Sequence, residues 1–126
     1  MLTKKSDYLI KNVAILVATK NRSNFISALL KYYAETKSKH KLYIADASDL
    51  FELNKTKSTI KTLCYNINIV HKHFPEFGRG ITDQAKSVAK MLEFVEEEYV
   101  VGSGDDDYFI PKSLDKCVEF LENNKE

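Results

Sequence analysis

Residues 13–18 read VAILVA, an unbroken apolar run rich in β-branched side chains. A strand with one face in water alternates apolar and polar residues, and this run has no polar face to offer. It predicts a strand buried on both sides, as in a parallel sheet covered by helices. The polar segment TKNRSN comes next at 19–24, and then Phe25, Ile26, Leu29, Leu30 and Tyr33 recur at helical spacing. That predicts an amphipathic helix over 23–36, with Asn21 or Ser23 as its cap.

Strand and helix signals keep alternating. KLYIADASD predicts a second strand over 41–46 that ends in small and acidic residues, with Ser48 and Asp49 placed to cap the next helix. Leu50, Phe51, Leu53, Ile60 and Leu63 allow a helix over 49–63, unbroken or interrupted near residues 54–57. CYNINIVHK, 64–72, alternates as a third strand, and HFPEFGRG, 73–80, is punctuated as a loop by proline and glycine. Residues 82–97 predict a helix with Thr82 as cap and Ala85, Val88, Ala89, Leu92 and Val95 on its apolar face. YVVGS is a fourth strand. Pro111 suits the first turn of a last helix, whose stripe is Leu114, Cys117, Val118 and Leu121.

The order β-α-β-(α)-β-α-β-α predicts an α/β fold: a Rossmann-like, mainly parallel sheet flanked by helices, with residues 1–126 as one domain. Ligands of such sheets bind beyond the carboxyl ends of the strands. Thr19–Arg22, Asp46–Asp49, His71–Arg79 and Asp105–Asp107 are therefore the candidate segments.

Asp105, Asp106 and Asp107 are adjacent, and no basic residue lies within four positions of them. Such a cluster must bind a cation, pair with a basic group from elsewhere, or hold a proton. Mg2+ and Mn2+ favour oxygen ligands and commonly bridge carboxylates to substrate phosphates. If the strand stays extended, alternation aims Asp105 and Asp107 to one side and Asp106 to the other. The plainer reading is an acidic turn at the N-terminus of the last helix.

Thr19, Asn21 and Arg22 offer a hydroxyl, an amide and a guanidinium beside a helix N-terminus, suited to phosphate or base, or else to a simple capping turn. Neither a phosphate-loop GK[ST] nor GxGxxG is present. Asp46 suits a ribose hydroxyl or a base N–H, and equally an Asx turn. His71 and His73 lack a third zinc ligand at sensible spacing. Lys86 pairs with Asp83 at i, i+3 and is also the nearest cation for a phosphate.

Lys+Arg 19 against Asp+Glu 18 gives no basic excess, which argues against nucleic acid as partner. Cys64 and Cys117 have no metal-type spacing and are expected as reduced core thiols of a cytoplasmic protein. The N-terminus lacks a secretory core, and no apolar run approaches the roughly 20 residues that cross a bilayer.

Taken in order, VAILVATKNR, YIADASD and GRGITDQAKSVAKMLEFVEEEYVVGSGDDDYFIPKSL resemble the N-terminal, nucleotide-sugar-binding half of a GT-A fold glycosyltransferase, similar to family 2. The resemblance spans about residues 12–122 and rests on the succession of four motifs. It implies a metal-dependent transferase that binds a nucleoside-diphosphate sugar, UDP-sugar favoured, and passes the sugar to a sugar, lipid or protein acceptor. Thr19, Asn21 and Arg22 would border the nucleotide, and Asp46 would accept a hydrogen bond from the base. Lys86 falls near the arginine of the family's ARN motif, and Asp105 and Asp107 would be the Asp-x-Asp pair on Mn2+ or Mg2+. Alignment on Pro111 instead brings Asp106 and Asp107 onto the last two acids of the motif. The resemblance also places the acceptor-activating base in a second half of the enzyme, so the chain is expected to be a donor-binding piece of a longer protein. The alternatives are a Mg-dependent nucleotidyltransferase or phosphohydrolase, or a non-catalytic cation-binding receiver or interaction domain.

Overall fold

The computed structural model describes residues 11–125. The N-terminal stretch, expected to lack a secretory core, lies mostly outside them. β1 (Val13–Thr19), β2 (Leu42–Asp46), β3 (Ile69–His73) and β4 (Tyr99–Ser103) form one four-stranded sheet of order β3-β2-β1-β4. Every pairing is parallel. The helices are α1 (Ser23–Glu35), α2 (Leu50–Leu63), α3 (Asp83–Leu92) and α4 (Pro111–Asn123). The fold is α/β and Rossmann-like, as the alternation of elements predicts.

β1 lies between β2 and β4 and is buried along nearly its whole length. Val13, Ile15 and Val17 pack with Ile26, Leu29, Leu30 and Tyr33 of α1 and with Leu114 and Val118 of α4, while Ile60 and Leu63 of α2 close the margin. On the opposite face, Ala14 and Leu16 meet Met91 and Val88 of α3, Phe74 and Tyr43. The helices thus divide three to one between the faces. At the start of β1, Val13 N–H donates to His40 Nδ1 at 3.0 Å, which leaves Nε2 to carry the ring hydrogen toward Asp115 Oδ1 at 2.8 Å. One buried histidine therefore ties the central strand to α4.

Several boundaries differ from the sequence reading. β3 begins at Ile69 instead of residue 64, because Cys64–Ile67 turn back from α2: Asn66 N–H bonds Leu63 O, Tyr65 is exposed, and Ile67 turns into the core. α2 runs unbroken through residues 54–57, with Leu53 and Thr56 as its buried residues. The 73–80 loop contains a 3-10 turn, Pro75–Phe77. α3 stops at Leu92, five residues early. Its end is tightened by i−3 bonds from Glu93, Phe94 and Val95, a stop with no glycine or proline to announce it. Its buried residues are Ser87 and Met91, whereas Ala85, Ala89 and Leu92 face solvent. Cys64 and Cys117 are free, but they are exposed and not core thiols. Among the described residues no helix is long and apolar enough to cross a membrane.

The turn after α3 is fastened from below. Tyr43 O–H donates to Glu97 Oε1 at 2.6 Å and accepts Glu96 N–H at 3.3 Å, and both Tyr43 and Glu97 are buried. Burial, reinforced by the Glu97 carboxylate, pushes the phenol's pKa up, so it stays a donor. Tyr43→Phe strands the carboxylate and is expected to lower unfolding stability by about 1–3 kcal/mol, measured by urea titration. Adding Glu97→Gln should restore part of the loss, since an amide tolerates the site better than an unpaired charge.

Candidate functional site

In the order β3-β2-β1-β4, the chain runs outward from β1 through β2 to β3 and then crosses to the other side of β1. The switch point therefore lies between the carboxyl ends of β1 and β4, where ligands of open α/β sheets bind. A cavity of about 440 Å³ opens there, within the roughly 300–1,000 Å³ usual for small-molecule pockets. Thr19, Lys20 and Arg22 line it after β1, Ala47 after β2, Phe77, Gly78 and Gly80 after β3, Gln84 and Ser87 on α3, and Gly104, Asp105 and Asp106 after β4.

Asp105 closes the switch point. Its Oδ2 accepts the Thr19 hydroxyl at 2.9 Å and Arg22 Nε at 2.8 Å, and the residue is buried. Arg22 also reaches Asp106 at 3.7 Å and lies over the Phe25 ring at 4.0 Å. The basic partner missing from the local sequence thus comes from the β1 exit, more than eighty residues away. Both bonds to Asp105 fall on Oδ2, leaving Oδ1 for a ligand.

The three acids do not follow strand alternation. β4 ends at Ser103, and Gly104–Asp107 make a turn in which Asp107 N–H bonds Gly104 O at 3.3 Å. Asp105 and Asp106 consequently line the cavity together, and Asp107 does not. A Cβ on Gly104 would sit 2.8 Å from Asp107 Oδ2 and 3.1 Å from Asp106 Oδ1, so the two carboxylates would have to swing away from their present positions. Further along, α1 grips the loop: Tyr33 O–H accepts Phe109 N–H at 2.9 Å, Tyr32 O–H donates to Phe109 O at 3.0 Å, and Tyr32 stacks on Tyr108. Oxygen donors of this kind suit a hard divalent cation. Among the described residues, however, no three His, Cys, Asp or Glu side chains are placed to hold a metal. Two carboxylates suffice for Mg2+ when substrate phosphates complete its shell, so the residues fit a cation that arrives with its ligand.

Asn21 is not among the lining residues. Its φ is 53°, a left-handed value that asparagine tolerates better than most residues. Its N–H donates to Ser48 Oγ at 2.7 Å, its Oδ1 accepts Asp49 N–H at 2.8 Å, and its Nδ2 donates to Asp49 Oδ2 at 3.1 Å. Asn21 clasps the β1 loop to the β2 loop. Neither Asn21 nor Ser23 caps α1, and Asp49 makes no side-chain cap for α2. Instead Glu52 of α2 accepts from the N–H and the hydroxyl of Ser23, so a carboxylate already occupies the α1 N-terminus, a position that the sequence alone makes suitable for a phosphate.

Asp46 is fully buried and also absent from the lining. One of its oxygens bonds His71 Nε2 at 2.8 Å, and the other accepts Ser48 N–H at 2.9 Å. His73 Nε2 donates to Ser48 O at 2.8 Å, so both histidines serve the β2 exit. Lys86 is exposed and pairs with Asp83 at 3.6 Å. Asp83 also accepts the N–H groups of Arg79 and Gly80, fastening the loop ahead of α3, while Thr82 makes no cap bond.

Of the residues read from sequence, the cavity therefore brings together Thr19, Arg22, Asp105 and Asp106. Asn21, Asp46, Lys86 and Asp107 stand outside its lining. Lys20 and Phe77, which lie within the candidate segments Thr19–Arg22 and His71–Arg79, also line it, as do Gln84 and Ser87, which lie in none of them. Lys20 spans the cavity to donate to Gly78 O, where a Cβ on Gly78 would press on Ala47 O at 3.1 Å. A signal for Ser87 did exist: it is a polar residue one turn before Met91, on the face that α3 buries. Compared by sequence, the chain matches no protein-family model and no curated protein.

These contacts predict two outcomes. Asn21→Ala loses the side-chain bonds and strains the backbone, and should cost about 1–3 kcal/mol in chemical denaturation. Asn21→Gly should cost less, since only the strain is relieved. For Asp46, burial alone would raise the pKa, but hydrogen bonds from His71 and Ser48 outweigh it and hold the carboxyl below its ordinary 3.8. Its ionised form then stabilises the fold fully well above that value, and the contribution is lost as pH falls through the lower folded value. Urea midpoints taken down to pH 3 should fall less steeply in Asp46→Asn than in the wild type, and equal slopes would contradict this assignment.

Proposed function

We propose that this chain binds a nucleoside-diphosphate sugar at the switch-point cavity, as the donor-binding part of a metal-dependent glycosyltransferase. The observation that carries the reading is the pairing of opposite charges in one cavity: Lys20 and Arg22 face it together with Asp105 and Asp106. A diphosphate needs cations, and a site made for phosphate alone would have no use for two carboxylates. Carboxylates become favourable when a divalent cation lies between them and the phosphates. Mg2+ or Mn2+ bound there supplies stabilisation of the charge that develops on the departing nucleoside diphosphate.

The residues of this chain have separable tasks. Arg22 neutralises Asp105 and keeps its guanidinium at the cavity mouth. Thr19 fixes the Asp105 carboxylate by a second bond, so its free oxygen points in a set direction. Ala18, Ala47 and Phe77 provide apolar wall for the rest of the nucleotide. The resemblance to family 2 enzymes favours uridine as base and leaves acceptor activation to residues beyond this cavity. An aspartyl phosphatase would want an acid directly after β1, where this chain has TKNR.

Calorimetry with UDP, GDP, CDP and pyrophosphate, each with and without Mn2+, tests the reading. One nucleoside diphosphate should bind at least about tenfold tighter with metal, a difference of about 1.4 kcal/mol. Asp106→Asn should abolish that gain, whereas Asp107→Asn should leave most of it. Metal binding with no effect on any nucleotide would exclude the transferase reading and leave a cation-binding interaction domain.

A further inference from the structure

Lys20 and Arg22 are the cationic side chains of the cavity lining, and the chain engages them differently. Arg22 already has its counter-charges. Its Nε meets Asp105 Oδ2 at 2.8 Å, its Nη2 lies 3.7 Å from Asp106, and its guanidinium rests on the Phe25 ring. Among the described residues, by contrast, no carboxylate pairs with Lys20. Its ammonium donates to one backbone carbonyl, Gly78 O, in a contact open to solvent. An ammonium carries three N–H donors and a full charge, so a single neutral carbonyl leaves most of that capacity unused.

The place where the ammonium rests matters as much as its lack of a counter-charge. Lys20 leaves the end of β1 and crosses to the loop after β3. Its stem lies against Gly78, where an added Cβ would meet Lys20 Cε at 3.3 Å and Ala47 Cβ at 3.4 Å. The charge is thereby held on the β2 and β3 side of the switch point, whereas Asp105 and Asp106 follow β4 on the other side of β1. The cavity thus has an acidic end and a basic end. Lys86 is no substitute for Lys20, since it stands outside the lining and pairs with Asp83 at 3.6 Å.

We infer that Lys20 is the direct phosphate ligand of this cavity, and that it leaves Gly78 O for a phosphate oxygen when the ligand enters. This rests on the proposal that the cavity holds a nucleoside diphosphate. One phosphate meets the divalent cation at the acidic end and the other meets Lys20, so the diphosphate lies across the end of β1. Exchanging a neutral carbonyl for a charged phosphate oxygen gives a bond with charge on both partners, the stronger kind. Arg22 stays with Asp105, because a buried carboxylate left without its partner is strongly unfavourable. Resting on Gly78 also keeps the ammonium at the cavity, which lowers the ordering that binding requires. The contribution of Lys20 is electrostatic, so it raises the affinity for any diphosphate and does not choose the base.

The test compares Lys20→Met, which keeps an apolar stem without the charge, and Lys20→Arg with the wild type in the full chain. Pyrophosphate, UDP, GDP and CDP are titrated with and without Mn2+, and melting is followed without ligand. Lys20→Met should weaken pyrophosphate and the preferred nucleoside diphosphate alike, each about tenfold. The factor should be similar with and without Mn2+, so both the gain from metal and the preference among bases persist. Lys20→Arg should keep most of the affinity, since a guanidinium also binds phosphate. Both variants should melt close to the wild type, because the bond they alter is a single exposed one. Unchanged binding in Lys20→Met, beside a wild type that binds these ligands, overturns the inference alone and makes Lys20 a structural tie to Gly78. A loss confined to one base, with pyrophosphate unaffected, overturns it as well. A wild type that binds pyrophosphate through Lys20 but gains nothing from a nucleoside upholds the phosphate ligand and removes the nucleotide reading. A wild type that binds none of the four overturns both.

Discussion

β1 has no polar side chain between Val13 and Ala18, and the rest of the structure depends on hiding it. A strand in that position needs neighbours on both edges and cover on both faces. β2 and β4 supply the edges, α1 and α4 one face, and α3 the other. Hiding the strand also positions its first polar residue. Thr19 emerges where β1 and β4 part company, beside the residue that begins the acidic turn. The hydrogen bond from Thr19 to Asp105 is therefore a direct consequence of burying the strand that leads to it.

Asp105 shows how such a site holds charge that would otherwise be unfavourable. Its carboxylate is buried, yet a hydroxyl and a guanidinium meet the same oxygen. Arg22 is kept in reach by the Phe25 ring beneath it and by the neighbouring Asn21 clasp. On the other side of the acids, Tyr32 and Tyr33 hold the peptide of Phe109. The acidic turn is thus pinned at both ends by α1 and the loop before it, while Asp106 stays exposed to whatever enters the cavity. A rigid frame around an exposed carboxylate is what the proposed metal-bound diphosphate would require.

The contrast between Asp46 and Ser87 bears on how such pockets are read. Asp46 has the chemistry expected of a base-recognising residue, but β2 carries it into the interior, where His71 and Ser48 use it up. Ser87 has ordinary chemistry, but α3 buries it in the cavity wall with no partner for its hydroxyl among the described residues. Spare hydrogen-bonding capacity, more than residue type, separates the two.

Much of the fold was legible in local pattern. The continuous run of β1, the helical spacing of α1 and the polar punctuation between elements established the alternation, and the alternation implied the parallel sheet. Boundaries were less legible where they depended on contacts: α3 ends early because Tyr43 draws residues 96 and 97 downward, and β3 starts late because Ile67 turns into the core. The acidic cluster and the TKNR segment were recognisable as candidates from their residue types and their positions after strands. Which aspartates face the cavity was decided by the turn at Gly104; Asn21 is engaged by groups 27 or 28 residues away, and Asp46 by His71, 25 residues away, together with the local Asx-turn bond from Ser48 N–H that the sequence allowed. Periodicity is a property of neighbouring residues, so the sequence alone determined the elements and their layering. Hydrogen-bond satisfaction is a property of distant ones, so only the tertiary structure decided which polar groups are already spent and which remain for a ligand.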